Sequence, residues 1–534
     1  MKRVREDGST AGWIMLLVLL GLVVVGGIVG WFIWSGSEAE IIEDSVTTLC
    51  QLPLNFTKPG IYYLCPQVLR YDVAEDANHR PNGIWVQTSH VNLVGDGTVL
   101  NVSDSSGLYG STAILIQALD PNAVIYDVQI NGVTVSSNGG TASTIDVASF
   151  EPARPLDRTG KLASFDWSAQ TVTPTNFGIS AKGVTQLIID NVLVQNTITS
   201  GIYLFNVNSV LIRHTTFLDN FDPTGVNVAV ALFPDGIITN LEVDSCHFQT
   251  TVDPPLVGGH PNAIGLHTGP LPLTHQHFHI HDTTFINMTS SINLWGAAGV
   301  LIERVQINVM GQNIYNCMQF GYNTLAFGDI GVYGLTIRDV QMKTFAVESY
   351  VDGIDLLVGD GALIEDVNID VSSPQDLTFG CEPFCDGPLY IGLGAFSFNN
   401  VLVNKATIHG LTTVSTVVID GPSSNVIFRE TSISDGVYLV TTVGTPSGIV
   451  LDRCKLSGTS ALAPSAQGIE VNAGQGNVFT ENSFHFIANM SSIIISAGVK
   501  ATVIENNKYL QCGTVPVTDN GSGTSNTGAI IVNV

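Results

Sequence analysis

Charge is what this chain has least of. Of its 534 residues, 12% are Asp, Glu, Lys or Arg, against about 25% in an ordinary soluble protein. Basic residues are scarcer still, with 20 Lys and Arg against 46 Asp and Glu for a net charge of −26. Binding along a phosphate backbone needs a basic stripe, so this balance argues against a nucleic-acid partner. Disorder is excluded too, because 45% of the residues are hydrophobic and a disordered chain cannot carry that much apolar surface. Beyond residue 35 no long stretch shows helical periodicity. Abundant glycine, 54 residues, points instead to a turn-rich and well-buried fold.

The long apolar run is confined to residues 13–34, WIMLLVLLGLVVVGGIVGWFIW. At 1.5 Å per residue it reaches about 33 Å, enough for a bilayer core of about 30 Å. Trp13, Trp31 and Trp34 sit at its ends, where aromatic belts form. Lys2, Arg3 and Arg5 precede it; Glu38, Glu40, Glu43 and Asp44 follow it. The positive-inside rule then predicts a cytoplasmic tail at 1–12, a membrane helix at 13–34, a linker at 35–49 and an extracellular or lumenal remainder. A cleaved signal peptide is the rival, but its apolar core is usually 7–15 residues. Gly26 and Gly30 form a GxxxG spacing that offers a helix-packing face and leaves a homo-oligomer open. Five N-x-S/T sequons, at Asn55, Asn101, Asn287, Asn489 and Asn520, agree with the external side. So do two closely spaced cysteine pairs, Cys50/Cys65 and Cys381/Cys385, which suit small disulfide loops in an oxidising compartment.

The remainder is a repeat. A large apolar residue is followed five places later by another: Ile130/Val135, Ile189/Val194, Ile212/Phe217, Val243/Phe248, Ile280/Phe285, Ile302/Ile307 and Ile337/Met342. The series continues as Ile364/Ile369, Val403/Ile408, Phe428/Ile433, Leu451/Leu456, Phe479/Phe484 and Ile504/Tyr509, with Leu93 opening an irregular earlier unit. A second short strand with Gly before Ile often precedes each pair, as in GIWV, GISA, GIYL, GIDL and GIEV. Alternation has period two throughout. Units this short bury their apolar side chains only by stacking on one another. The pattern therefore predicts one all-β parallel solenoid over residues 50–534, of about 14 coils and about 65 Å at 4.8 Å per coil. An insertion at 141–176, rich in Arg, Phe and Trp, interrupts it.

The stretch from Cys50 to Cys65 with PGIYYLC, then GIWVQTSHVNLVGDGTVL and the Gly-Ile repeats, resembles right-handed parallel β-helices of the pectin-lyase-like superfamily. The resemblance implies a right-handed coil but not one function. Members of that superfamily include polysaccharide lyases, hydrolases, epimerases, phage tailspikes, adhesins and structural rods. Its hydrolases resemble one another in Asn-x-Asp, Asp-Asp, Gly-His-Gly and Arg-x-Lys patterns. This chain has no Asp-Asp and no Gly-His-Gly, and only Arg453-Cys454-Lys455 matches the last. An anchored β-helix also resembles surface proteins of microbes and of large viral particles, so a virion surface is among the expected locations.

Aligning the repeats gives outward rows. The residue after the first anchor reads Asn131, Asp190, Arg213, Asp244, His281, Glu303, Arg338, Glu365, Asn404, Arg429, Asp452, Thr480, Glu505. Signs often alternate between coils, which predicts a charge-matched solvated face. The next row holds Asp282, Arg304, Asp339, Asp366, Lys405, Glu430, Arg453 and Glu481. The row after that is small and apolar, so Cys246 and Cys454 are expected as core thiols; Cys317 and Cys512 have no assigned partner. Two chemical candidates stand out. In THQHFHIHD, His279 and His281 are expected to face outward with His277, beside Glu242, Asp244 and Glu303, either as a polar face hydrogen-bonded to those carboxylates or, because mixed His/carboxylate ligation suits one, as a site for a zinc-like divalent metal. His279, His281 and Asp244 are the expected ligands. Asp355 in GIDL is expected between Ala326 and Gly392, with Asp329 nearby, a groove where two carboxylates do acid/base work on a sugar.

The leading reading is a single-pass membrane protein displaying a rigid β-helix as a binding or structural module for carbohydrate or a surface protein. The alternative is a polysaccharide lyase or glycoside hydrolase. Carboxylates clustered in one groove discriminate the enzyme from the rod.

Overall fold

The computed structural model describes residues 48–532 except 79–80, 107–109, 121, 138–175, 222–228, 252–262, 270–274, 312–315, 325–327, 347–351, 373–387, 393–394, 412–414, 437, 459–466, 486, 488–491, 511 and 513–515. The tail, the apolar span 13–34, nearly all of the linker 35–49, the insertion up to its last residue, Cys381, Cys385 and Asn489 thus lie outside the described residues. Among the described residues no helix is long and apolar enough to cross a membrane.

The predicted solenoid is present. Each full coil contributes a strand to each of three parallel sheets, and each strand pairs with its counterparts one coil below and above. The Gly-Ile segments make the first sheet, for example Asp352–Leu356. The first anchors make the second sheet, as in Ala297–Glu303, and the second anchors make the third, as in Gln306–Gly311. Among the described strands one pair is antiparallel, the small hairpin of Tyr322–Thr324 with Gly328–Ile330.

Anchors stack residue on residue. In the second sheet the column runs from Leu93 through Ile130, Ile189, Ile212, Val243, Ile280, Ile302 and Ile337. It continues through Ile364, Val403, Phe428, Leu451, Phe479 and Ile504. Tyr62 extends it at one end and Asn526 at the other. The third-sheet column from Val135 to Tyr509 keeps the same phase. Within it Phe217, Phe248 and Phe285 stack at centroid distances of 4.3 and 4.7 Å, nearly parallel. The anchors from Leu93 to Ile504 and from Val135 to Tyr509 belong to one continuous buried core. Each fully buried aliphatic contributes about 1.5–3 kcal/mol. The register between Ile130 and Ile189 is unbroken, so the insertion leaves the stack undisturbed.

Between the second and third sheets the chain turns on one residue. Asn191, His214, Ser245, Asp282, Arg304, Asp339, Asp366, Lys405, Glu430, Arg453, Glu481 and Asn506 all have φ between 48° and 55°. This left-handed corner returns the next residue inward, which is why the small row from Val133 to Asn507 is buried. Its polar members are satisfied there: the Asn482 side chain accepts from Cys454 N at 2.8 Å and donates to Leu451 O at 2.9 Å. Cys246, Cys317, Cys454 and Cys512 are free thiols, and Cys50 is bonded to Cys65.

Two outcomes follow from this packing. Ile302→Asp is expected to cost several kcal/mol because it buries an unpaired charge in the stack, whereas Arg429→Ala, which removes a surface pair with Asp452 at 3.3 Å, costs less than about 1 kcal/mol; urea denaturation with equal midpoints for the two would contradict the register. At the corner, the left-handed conformation costs an L-residue about 1–2 kcal/mol. Lys405→Gly should therefore raise the melting temperature and Lys405→Val should lower it.

Candidate functional site

The histidine strand His275–His281 lies in the second sheet between Ala229–Asp244 and Ala297–Glu303. Its four histidines do not share one face. His277 has φ +56°, and this local break of the pleat turns His275 into the core opposite Ile238 and Ala297. Burial pushes the His275 imidazole down to about 4, so it is neutral at physiological pH. His279 and His281 do face outward, with Glu242 opposite His279 and with Asp244 and Glu303 flanking His281. Their rings stack at 4.1 Å.

The side chains cross diagonally from that backbone register. His281 Nε2 lies 3.2 Å from Glu242 Oε1, and its Nδ1 lies 2.8 Å from Asp282 Oδ2 and 3.5 Å from Asp244 Oδ1. His279 Nε2 lies 3.1 Å from Glu303 Oε1. Asp244 lies beside His281 as expected, on the Nδ1 side of its ring. The groups whose donor atoms converge are Glu242 with His279 and His281, and separately Asp244 with His281 and Asp282. Arg304 grips Asp282 with two bonds of 2.8 and 2.9 Å and reaches Glu303 at 2.8 Å. Arg338 closes over Glu303 from the next coil. Glu303, read from sequence as part of a solvated row, is therefore buried. Burial acts to raise its pKa, but hydrogen bonds from Arg338, His279 and Arg304 outweigh that and hold it down at about 2. Burial acts to lower His281, and the bonds to Asp282 and Glu242 outweigh that and raise it. Elsewhere in this row and the next, opposite charges pair between neighbouring coils, for example Asp190 with Arg213 at 2.8 Å and Glu430 with Arg453 at 2.9 Å.

The outer face of the first sheet holds the second candidate. Ile354 and Leu356 point into the core and Asp355 between them points out. Its strand neighbours are Gln319 and Tyr390 rather than the expected Gly392; Ala326 lies outside the described residues. The step from first-sheet strand to second-sheet anchor is not constant: the paired residues Met318 and Ile354 precede their anchors Ile337 and Ile364 by nineteen and ten residues. The hairpin Tyr322–Thr324/Gly328–Ile330 falls within the longer step and carries Asp329, exposed and paired with Asn323. The floor beside Asp355 is therefore not small-residue but polar and aromatic.

That face is itself a buried layer. Phe177, Tyr203, Phe233, His267, Trp295 and Tyr322 contact one another in sequence, with centroids 4.4–6.0 Å apart. Leu357, Val358, Tyr390 and Val418 form a small core of their own. The same device occurs twice along it. The Tyr203 hydroxyl donates to Asp235 at 2.9 Å and the Tyr390 hydroxyl to Asp420 at 2.8 Å, each from the coil before. Each aspartate also accepts from the following glycine amide, and Gly236 and Gly421 have φ +66° and +62°. Burial raises the Asp235 carboxyl despite those bonds. Two Asp-Gly dipeptides, about thirty residues after a strand tyrosine, are the sequence signal for this staple.

No protein-family model and no curated protein matches the chain. Among solved structures it aligns with a tailspike protein of E. coli bacteriophage HK620 in complex with a pentasaccharide, at 12% identity over 79% of this chain and 74% of that one, with TM-score 0.45. A Yersinia enterocolitica family 28 exopolygalacturonase aligns at 11% identity over 84% and 73%, with TM-score 0.38. The A-module of the Azotobacter vinelandii mannuronan C-5 epimerase AlgE6 aligns at 11% over 89% and 91%, with TM-score 0.29. Scores this low carry nothing about site or ligand, so the reading of this chain rests on its own residues.

The Asp235 staple has a pH signature. A carboxyl whose folded pKa is raised stabilises the fold while protonated, and that contribution is lost as pH rises through the folded value. Between about pH 4 and about pH 7 the wild type should lose melting temperature relative to Asp235→Asn. A difference that is constant across that range would contradict the burial argument.

Proposed function

We propose that the chain is a rigid binding rod, held at a membrane by residues 13–34 with its β-helix outside, that meets carbohydrate or another surface along its flank. The observation that carries this reading is the separation of Asp235, Asp355 and Asp420, carboxylates of the described outer face of the first sheet. Asp235 lies four coils from Asp355, about 19 Å along the axis. Asp355 lies two coils and two residues from Asp420, roughly 12 Å. A glycosidase pair works at about 5–5.5 Å or about 6.5–9.5 Å. Asp235 and Asp420 are moreover tied to tyrosine hydroxyls, and on the second-sheet face Asp190, Glu430 and Asp452 are paired with arginines. Asn55 and Asn520 are exposed and are the sequons best placed for glycans on an external domain.

The test is a glycan array with the purified full-length chain, paired with an assay for shortened or unsaturated products. Binding without product formation is the expected outcome. Cleavage that Asp355→Asn abolishes would replace the rod with a polysaccharide lyase or glycoside hydrolase.

A further inference from the structure

We propose that Glu242, His279 and His281 form a binding site for a zinc-like divalent cation, independent of what the rod binds. The geometry of two paired strands assembles it. His279 and His281 are two residues apart on one face of their strand, and Glu242 sits opposite His279 on the strand below. One donor atom from each of the three lies within 4.8 Å of the other two. Bonds of about 2.0–2.2 Å to nitrogen and oxygen place tetrahedral ligand atoms roughly 3.3 Å apart. The 3.2 Å between His281 Nε2 and Glu242 Oε1 is already such an edge, and His279, whose Nε2 lies 3.1 Å from Glu303, completes the triangle by exchanging that bond for the metal.

The surroundings fit a metal-bearing histidine. A ligating imidazole ordinarily gives its other nitrogen to a carboxylate, which fixes the tautomer. Asp282 takes that place at His281 Nδ1, at 2.8 Å, and is itself held by both bonds from Arg304. Two imidazole rings stacked at 4.1 Å repel if both are cationic but are well placed as neutral ligands of one ion. Glu242 and Asp244 supply compensating negative charge, while Asp282 is paired with Arg304 and Glu303, occupied by Arg304 and Arg338, stays outside the shell. Two nitrogens and one oxygen leave a position for water. That donor set favours zinc over magnesium or calcium, which take oxygen ligands.

Calorimetric titration of Zn²⁺ into the chelator-treated full-length chain tests this, with Mg²⁺ and Ca²⁺ as comparisons and melting temperature as a second readout. One equivalent of zinc should bind and raise the melting temperature, with no response to magnesium or calcium at the same concentration. His279→Ala/His281→Ala should abolish the response, Glu242→Gln should weaken binding at least tenfold, and Asp282→Asn should weaken it about 10–100-fold. If the double variant fails to fold, the half-exposed Glu242→Gln decides alone. X-ray absorption of the zinc-loaded protein should show two imidazoles in the shell. Unchanged zinc affinity in Glu242→Gln and in the histidine variant, or no heat and no melting shift with zinc, overturns the site.

Discussion

The interaction on which the rest depends is the parallel hydrogen-bonded register between one coil and the next. A single coil has too few residues to bury an isoleucine. Stacked in phase, each anchor is covered by its counterparts above and below, and the core becomes a column. Everything polar inherits that order. Charges meet opposite charges because their anchors meet, and Asn482 finds Cys454 N and Leu451 O because its coil is not displaced by even one residue. A slip of one residue would turn every anchor to solvent, so the register is the most strongly specified quantity in the fold.

The left-handed corner is the complement of that register. Turning on one residue keeps the two sheets in fixed phase whatever side chain stands at the turn, and arginine, lysine and glutamate occupy it as well as asparagine. From Ile130 onward, variation in coil length falls in the connections around the first sheet; the two coils before it put seven residues rather than five between the paired positions, as in Leu93 and Leu100. The insertion that falls between Ile130 and Ile189 shows how well the stack tolerates it.

This division explains what was legible in the sequence. The second- and third-sheet columns could be read residue by residue, because two anchors five apart on either side of an invariant corner leave no freedom of alignment. The positions of His279, His281, Glu242, Asp244 and Glu303 relative to one another followed from the same columns. The outer face of the first sheet could not be read in this way. Its offset from the anchors varies, so the neighbours of Asp355 were misplaced, and the staples from Tyr203 to Asp235 and from Tyr390 to Asp420 left only two Asp-Gly dipeptides as a trace. The burial of Glu303 was invisible for another reason. It depends on where the arginine side chains of two different coils come to rest, and a row of alternating charges does not encode that.

The register can be measured directly by cysteine cross-linking of neighbouring coils. Thr480 and Glu505 are paired across parallel strands, about 4.8 Å apart, within the Cα range of a disulfide. A Thr480→Cys/Glu505→Cys variant should cross-link on mild oxidation, and Thr480→Cys/Val503→Cys, two residues out of phase at roughly 8 Å, should not. Equal cross-linking of the two, or bonding of the out-of-phase pair alone, would contradict the register and with it the arrangement of every site described above.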